Sequence, residues 1–220
     1  MERTKTNQSN PNVVVAAPRS FAQQVKDCAK VKNLVKISVL GALGFVLMQI
    51  IHVPMPFAPS FMDVDFGDVP TLIGGFAMGP VAGVLIQLVK NLLKLMTTHT
   101  VGVGELSNFI LGASFVLVAA SYYWRHRTIR GAVVSLLLGS LTMTAMGFLS
   151  NAFVIFPAFA KATDLDLNAL ALQVGSANPL VTDYWSLMAF AVIPFNLVKT
   201  TLESVACLLL YKRISPILHK

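Results

Sequence analysis

Residues 185–211 read WSLMAFAVIPFNLVKTTLESVACLLLY. As a helix rising 1.5 Å per residue this run spans roughly 40 Å, more than the ~30 Å of hydrocarbon in a bilayer. An amide and two charged side chains interrupt it. Asn196, Lys199 and Glu203 follow the spacing i, i+3, i+7, which puts all three on one helix face. A charge at the centre of a spanning helix costs about 2.5 to 3.5 kcal/mol on insertion scales, so it faces a partner, a cavity or a ligand. Lys199 and Glu203 either neutralise one another as an i,i+4 pair or form part of a binding face, and spacing alone allows both.

Runs of the same kind recur along the chain. Hydrophobic residues make up 55% of the 220, charged residues 12%, and the mean hydropathy is +0.69. Soluble domains carry about twice that share of charge, so the composition specifies an integral membrane protein, and runs of helix-spanning length make it all-α. The runs predict six transmembrane helices over about 34–53, 68–78, 80–96, 104–124, 131–157 and 185–211. The first stops at Pro54-Met55-Pro56, and the second meets the third across Gly79-Pro80 as a tight helical hairpin. Gly74, Gly75, Gly79 and Gly83 serve the packing of that hairpin. Residues 1–33 are polar and read as a flexible cytoplasmic tail ahead of a membrane domain over 34–220; they contain no removable signal peptide.

The net charge of +7 is placed by topology rather than gathered into a nucleic-acid surface. Arg3, Lys5, Arg19, Lys26, Lys30, Lys32 and Lys36 precede or open the first span. Arg125, Arg127 and Arg130 join the fourth to the fifth, and Lys212, Arg213 and Lys220 follow the sixth. The opposite loops hold Lys161 among Asp63, Asp65, Asp164, Asp166 and Asp183. The positive-inside rule then puts both termini in the cytoplasm. Cys28 and Cys207 fit neither a disulfide framework nor a metal site.

Depth along the spans separates a pocket from a pore. Asn151, Glu105, Asn108, Lys90, Asn91, Lys94, Asp65 and Asp68 all fall in the outer half, whereas the inner halves are nearly pure Leu, Val, Ala and Gly. A channel needs polar groups along its whole length, so the pattern favours an outward-facing site that binds. The loop 54–62, with three prolines, Phe57, Phe61 and Met62, reads as a lid or as a loop resting on headgroups. Asn151, Asn196 and Lys199 offer amide and ammonium groups suited to the polar rim of a planar heteroaromatic ligand. Ser38 and Ala42 form a small-xxx-small pair that permits close helix approach. No P-loop, metal spacing or nucleophile elbow is present, and Asp65-Phe66-Gly67 and Gly102-Val103-Gly104 lack the surroundings that give such tripeptides meaning. Uphill movement of a solute would draw on a partner or an ion gradient.

Several stretches together carry a resemblance: 57–70 ending DFGDVP, GGFAMGPVAG at 74–83, KNLL at 90–93, GVGELSNF at 102–109, GASF at 112–115 and IPFNLVK at 193–199. Over about residues 34–212 the chain resembles the riboflavin-type substrate-binding S components of energy-coupling factor (ECF) transporters. The resemblance implies a six-helix fold in a prokaryotic plasma membrane and a high-affinity vitamin pocket open to the outside, capped by the loop between the first two helices. It implies partners as well: a transmembrane coupling subunit and two cytoplasmic ATPases, with the S component toppling in the membrane to release its cargo. The family's ligand-contacting groups fall on Asn151, Asn196 and Lys199, with loop backbone near Met62; Phe61, Glu105 and Asn108 join them as candidates. The docking motif falls on Ser38 and Ala42, Ser standing for the first Ala. Riboflavin is cargo, so no cofactor and no catalytic residue is implied. FMN, with Lys90 or Lys94 as phosphate partners, another vitamin, and an intramembrane enzyme using Glu105 or Lys199 are the alternatives. The segment 158–184 is longer than the family pattern.

Overall fold

The computed structural model describes residues 20–59, 62–164 and 166–218, with side chains described to residue 210. In chain order the elements are α1 (Phe21–Cys28), α2 (Val31–Ile50), β1 (His52–Pro54), β2 (Asp63–Asp65), α3 (Asp68–Met78), α4 (Pro80–Lys94), α5 (Val103–Arg125), α6 (Ile129–Ser150), α7 (Phe156–Thr163), α8 (Leu167–Gly175), α9 (Tyr184–Leu187) and α10 (Ile193–Leu218). Single π-helical turns, Asn151–Ile155 and Met188–Val192, join α6 to α7 and α9 to α10.

Among the described residues five helices are long and apolar enough to cross a bilayer: Val31–Ile50, Pro80–Thr97, Val103–Arg125, Ile129–Thr163 and Tyr184–Leu210. The second expected span, α3, has 11 residues and reaches only about 16 Å, half a bilayer. Its far end is fixed where Trp124 Nε1 donates to the carbonyls of Gly75 (3.2 Å) and Phe76 (3.1 Å), the last turn of α3. The half that α3 does not fill is taken by the antiparallel hairpin β1–β2, which pairs His52 with Asp65 and Pro54 with Asp63. β1 is exposed, but Val64, Asp65, Gly67 and Asp68 are buried, so this irregular stretch dips into the bundle. Non-helical backbone at such depth is tolerated where protein surrounds it or it borders a cavity.

α3 and α4 fold back on each other across Gly79, whose φ of 109° lies in the left-handed region that favours glycine. A Cβ on Gly83 would meet Gly75 Cα at 3.1 Å, which is the close approach expected of the hairpin. One apolar core joins Leu72 and Phe76 to Phe115, Ala119 and Tyr123 of α5 and Leu136 and Met143 of α6. The expected flexible tail differs in its described part: residues 20–33 are mostly helix. α1 is capped by reciprocal Ser20 and Gln23 bonds, and Cys28 is buried beside Ile37 and Ala82. Residues 1–19 lie outside the described residues.

The segment 158–184 gains a physical role. Leu170, Ala171, Val174 and Val181 pack on Ala152, Ile155, Phe156, Leu187, Met188 and Val192, closing a second core around both π turns. Each π turn precedes a proline, Pro157 or Pro194, which has no N–H to give the preceding turn. The carbonyls so exposed find donors in this segment. Tyr184 Oη donates to Ala152 O at 2.7 Å, and Asn178 Nδ2 donates to Phe190 O at 3.0 Å.

Candidate ligand-binding site

Where α3 stops short, a cavity of about 530 Å³ opens toward the end of the bundle remote from the Arg125–Arg130 connection. Its walls come from the C-terminal ends of α2 and α4, the first turns of α5, the first π turn, α7, the start of α10 and the hairpin. Asn151, Asn196, Lys199, Met62, Asn108 and Glu105 all border it, with Leu111, Met143, Ile155, Phe159 and Phe195 supplying apolar wall. Six of the seven ligand candidates read from sequence are therefore brought together; Phe61 lies outside the described residues.

The asparagines are held in the same manner. Asn151 Nδ2 donates to Gly147 O at 2.7 Å and Asn196 Nδ2 to Val192 O at 2.8 Å, each four residues back. Pinned by their amide nitrogens, both offer oxygen. Ser107 Oγ approaches Asn151 Oδ1 at 3.5 Å, while Asn196 Oδ1 is buried with no hydrogen-bond partner among the described residues.

Lys199 does not pair with Glu203. Its ammonium donates to Asp65 Oδ2 at 2.8 Å and to Asn108 Oδ1 at 3.4 Å, so the internal i,i+4 alternative is replaced by a bond to the hairpin. Asp65 is fixed in turn by Gly67 N–H, which donates to Oδ1 at 2.7 Å. Burial pushes the Asp65 carboxyl up, but the Lys199 and Lys90 ammonium groups, with hydrogen bonds from Lys199 and Gly67, outweigh it and hold it below the usual carboxylate range. A Cβ on Gly67 would meet Asp65 Oδ1 at 2.9 Å and Gly44 O at 3.0 Å, so only glycine lets the turn lie this close to α2.

Asn108 is placed by a relay from α3. Thr71 Oγ1 donates to Gln87 Oε1 (3.2 Å), and Gln87 Nε2 donates to Asn108 O (3.0 Å). Glu105 borders the cavity, yet its Oε2 accepts from Thr98 (2.9 Å) and Thr100 (3.0 Å), organising the turn that enters α5. Lys90 is fully buried and paired with Asp68, and Lys94 donates to Gln49. Over the top, Ala58 is buried against Val64 and Phe195, with Phe57 and Met62 alongside, so this described part of the loop packs on protein.

Comparison with known proteins now bears on this geometry. The family model described as "ECF transporter, substrate-specific component" matches residues 32–211. The chain belongs to that family. This S component is 35% identical over 189 residues to the riboflavin transporter RibU of Staphylococcus aureus, covering 86% of this chain and 93% of the relative. It is 32% identical over 190 residues to the riboflavin transporter FmnP of Bacillus subtilis, covering 85% and 94%. A solved S component of a bacterial ECF transporter superposes with a TM-score of 0.66 at 33% identity, covering 86% of this chain and 98% of that one. The S component is a multi-pass cell-membrane protein of a transport family.

On its flank, Ser38 and Ala42 of α2 are both exposed, beside the stripe of Gly41 and Gly44, which pack inward. α2 is the least enclosed of the five long helices. Sequence reasoning placed Asp65 at the site's edge without seeing its bond to Lys199, and it missed Gln87. A polar residue at helical spacing from Lys90 and Asn91 on an otherwise apolar span was the available signal for Gln87.

Proposed function

We propose that this S component captures riboflavin from the outer face of the cell membrane and delivers it, chemically unchanged, to an energising complex of one coupling subunit and two cytoplasmic ATPases. The observation that carries the reading is the convergence of Asn151, Asn196 and Lys199 on one half-apolar cavity, in a chain whose relatives are named riboflavin transporters. A flavin needs this combination. Its tricyclic ring requires apolar and aromatic walls, here Leu111, Phe159 and Phe195, while its pyrimidine edge and ribityl hydroxyls require several donors and acceptors. The two asparagine oxygens accept, and the Lys199 ammonium donates. The volume of about 530 Å³ falls within the ~300–1,000 Å³ of small-molecule pockets.

Riboflavin is favoured over FMN because the relatives are named riboflavin transporters and Lys90 is buried on Asp68; Lys94, hydrogen-bonded to the neutral Gln49 amide, borders the cavity. The pocket end faces outward in this reading because the basic Arg125–Arg130 connection lies at the opposite end. Residues 1–33 then lie on the cytoplasmic side. The exposed Ser38–Ala42 flank of α2 is the docking face for the coupling subunit.

Purified protein titrated with riboflavin is expected to quench flavin fluorescence at submicromolar concentration, with riboflavin recovered intact by mass spectrometry of released small molecules. Absence of both, or tighter competition by FMN, folate or pantothenate, overturns the assignment.

A further inference from the structure

Glu203 is the member of the polar face on α10 that the cavity leaves out. It is fully buried one turn beyond Lys199, and neither carboxyl oxygen has a hydrogen-bond partner among the described residues. α10 packs on α6, α3 and β2. The charges bearing on Glu203 are Asp68 of α3 first, then Lys199 of α10, Asp65 of β2 and Lys90 of α4. Cys207 lies one turn further along α10, Asp63 of β2 borders the cavity, and α6 brings no acid or base beyond Arg130 in its first turn.

The pairing leaves one acid over. Lys199 bonds Asp65 and Lys90 bonds Asp68, each a neutral pair, so among the described residues no cation of this cluster remains for Glu203. A bare carboxylate in a low-dielectric interior, with no hydrogen bond, is costly enough that the group takes up a proton instead. A second unsatisfied atom belongs to the same cluster: Asp68 Oδ2 is buried and accepts from no donor among the described residues.

We infer that Glu203 is a buried proton-binding site, remaining a neutral carboxylic acid in the folded protein and offering its O–H to the acceptor Asp68 Oδ2. The proton comes from solvent and cancels the surplus negative charge of the cluster. Its effect is on Lys199: a neutral Glu203 leaves the ammonium to Asp65, Asn108 and the cavity, whereas an ionised one would draw it one turn away from the ligand.

Infrared difference spectra of wild type against Glu203→Gln test this. The expected result is a protonated-carboxyl carbonyl band in wild type that shifts in deuterium oxide and is missing from the variant. The affinity arm rests on the riboflavin reading: glutamine matches the neutral acid in shape, so riboflavin affinity stays within about twofold of wild type. No such band in wild type overturns the inference. So does a loss of about tenfold or more in E203Q, which marks an ionised partner of Lys199, or a wild-type affinity that requires sodium, which marks a metal cation in place of the proton. The band needs no riboflavin, so it decides even if the cargo is another molecule, and Glu203→Met, which also removes the carboxyl, supplies the comparison spectrum if E203Q does not fold.

Discussion

Lys199 Nζ lies 2.8 Å from Asp65 Oδ2, tying the last spanning helix to a hairpin 134 residues earlier in the chain. Both side chains are almost completely buried. The bond therefore has two duties: it holds the hairpin in the bundle, and it aims an ammonium at the cavity.

The two duties are separable by substitution. Lys199→Met leaves Asp65 buried without its cation and is expected to cost about 3–5 kcal/mol in stability, with riboflavin affinity falling at least about tenfold. Adding Asp65→Asn to Lys199→Met restores much of the stability and none of the affinity. A double-mutant cycle read by thermal unfolding and by fluorescence titration checks both; recovery of affinity in the double variant would mean that Lys199 does not touch the ligand.

Acid sensitivity follows from Asp65. Its folded carboxyl is held below the ordinary value of about 3.9, so its contribution to stability is complete above that value. That contribution is lost as pH falls from there through the lower folded value. Melting temperature measured against pH should show no loss from Asp65 between neutral pH and about pH 5, and a loss below pH 4 that Asp65→Asn lacks.

Asn196→Ala and Asn151→Ala each remove one acceptor from the cavity. Each is expected to weaken riboflavin binding by about 1–3 kcal/mol, roughly fivefold to over a hundredfold, because the ligand donor is left unpaired in a desolvated site. Isothermal titration of the single variants reads the loss, and a value unchanged at Asn196 would remove that side chain from the ligand contacts.

Gly112→Ala acts at a distance. The added Cβ would stand 1.7 Å from Gln87 Nε2, so Gln87 must leave and the relay from Thr71 to Asn108 breaks. Expected are a stability loss of about 1–3 kcal/mol and weaker ligand binding although no cavity residue is changed. Gly112→Ala combined with Gln87→Ala, which makes room, recovers part of the packing loss without restoring affinity.

Ser38→Trp or Ala42→Trp puts a large group on the exposed flank of α2. Riboflavin binding by the isolated S component should be unchanged, whereas co-purification with the coupling subunit and uptake into cells should fall. Loss of binding in the isolated protein would mean that this flank supports the cavity instead.

The spans and the polar cluster were legible in the sequence because length, hydropathy and helical spacing act locally. α3 over 68–78, the turn at Gly79-Pro80 and the convergence of Asn151, Asn196 and Lys199 all follow from such rules. What the sequence hid was long-range. Lys199 had a visible neighbour in Glu203 four residues on, but the hairpin delivered Asp65 instead, because α3 spans only half the bilayer and leaves the other half to it. The segment 158–184 is longer than the family pattern, and its role lies in long-range bonds: Tyr184 and Asn178 serve the carbonyls that Pro157 and Pro194 leave open. α1 was read as tail because eight residues show too little periodicity to stand out in a polar stretch.

Those two prolines also bear on any effort to retarget this receptor to other aromatic metabolites. The frame that sets the register of Asn151 and Asn196 depends on Tyr184 and Asn178, neither of which borders the cavity, so libraries should hold this outer clasp constant. Diversity belongs on Met62 and Phe159, which border the chamber and are only partly buried, so a change there reshapes it with the least disturbance of the helices that carry its polar groups.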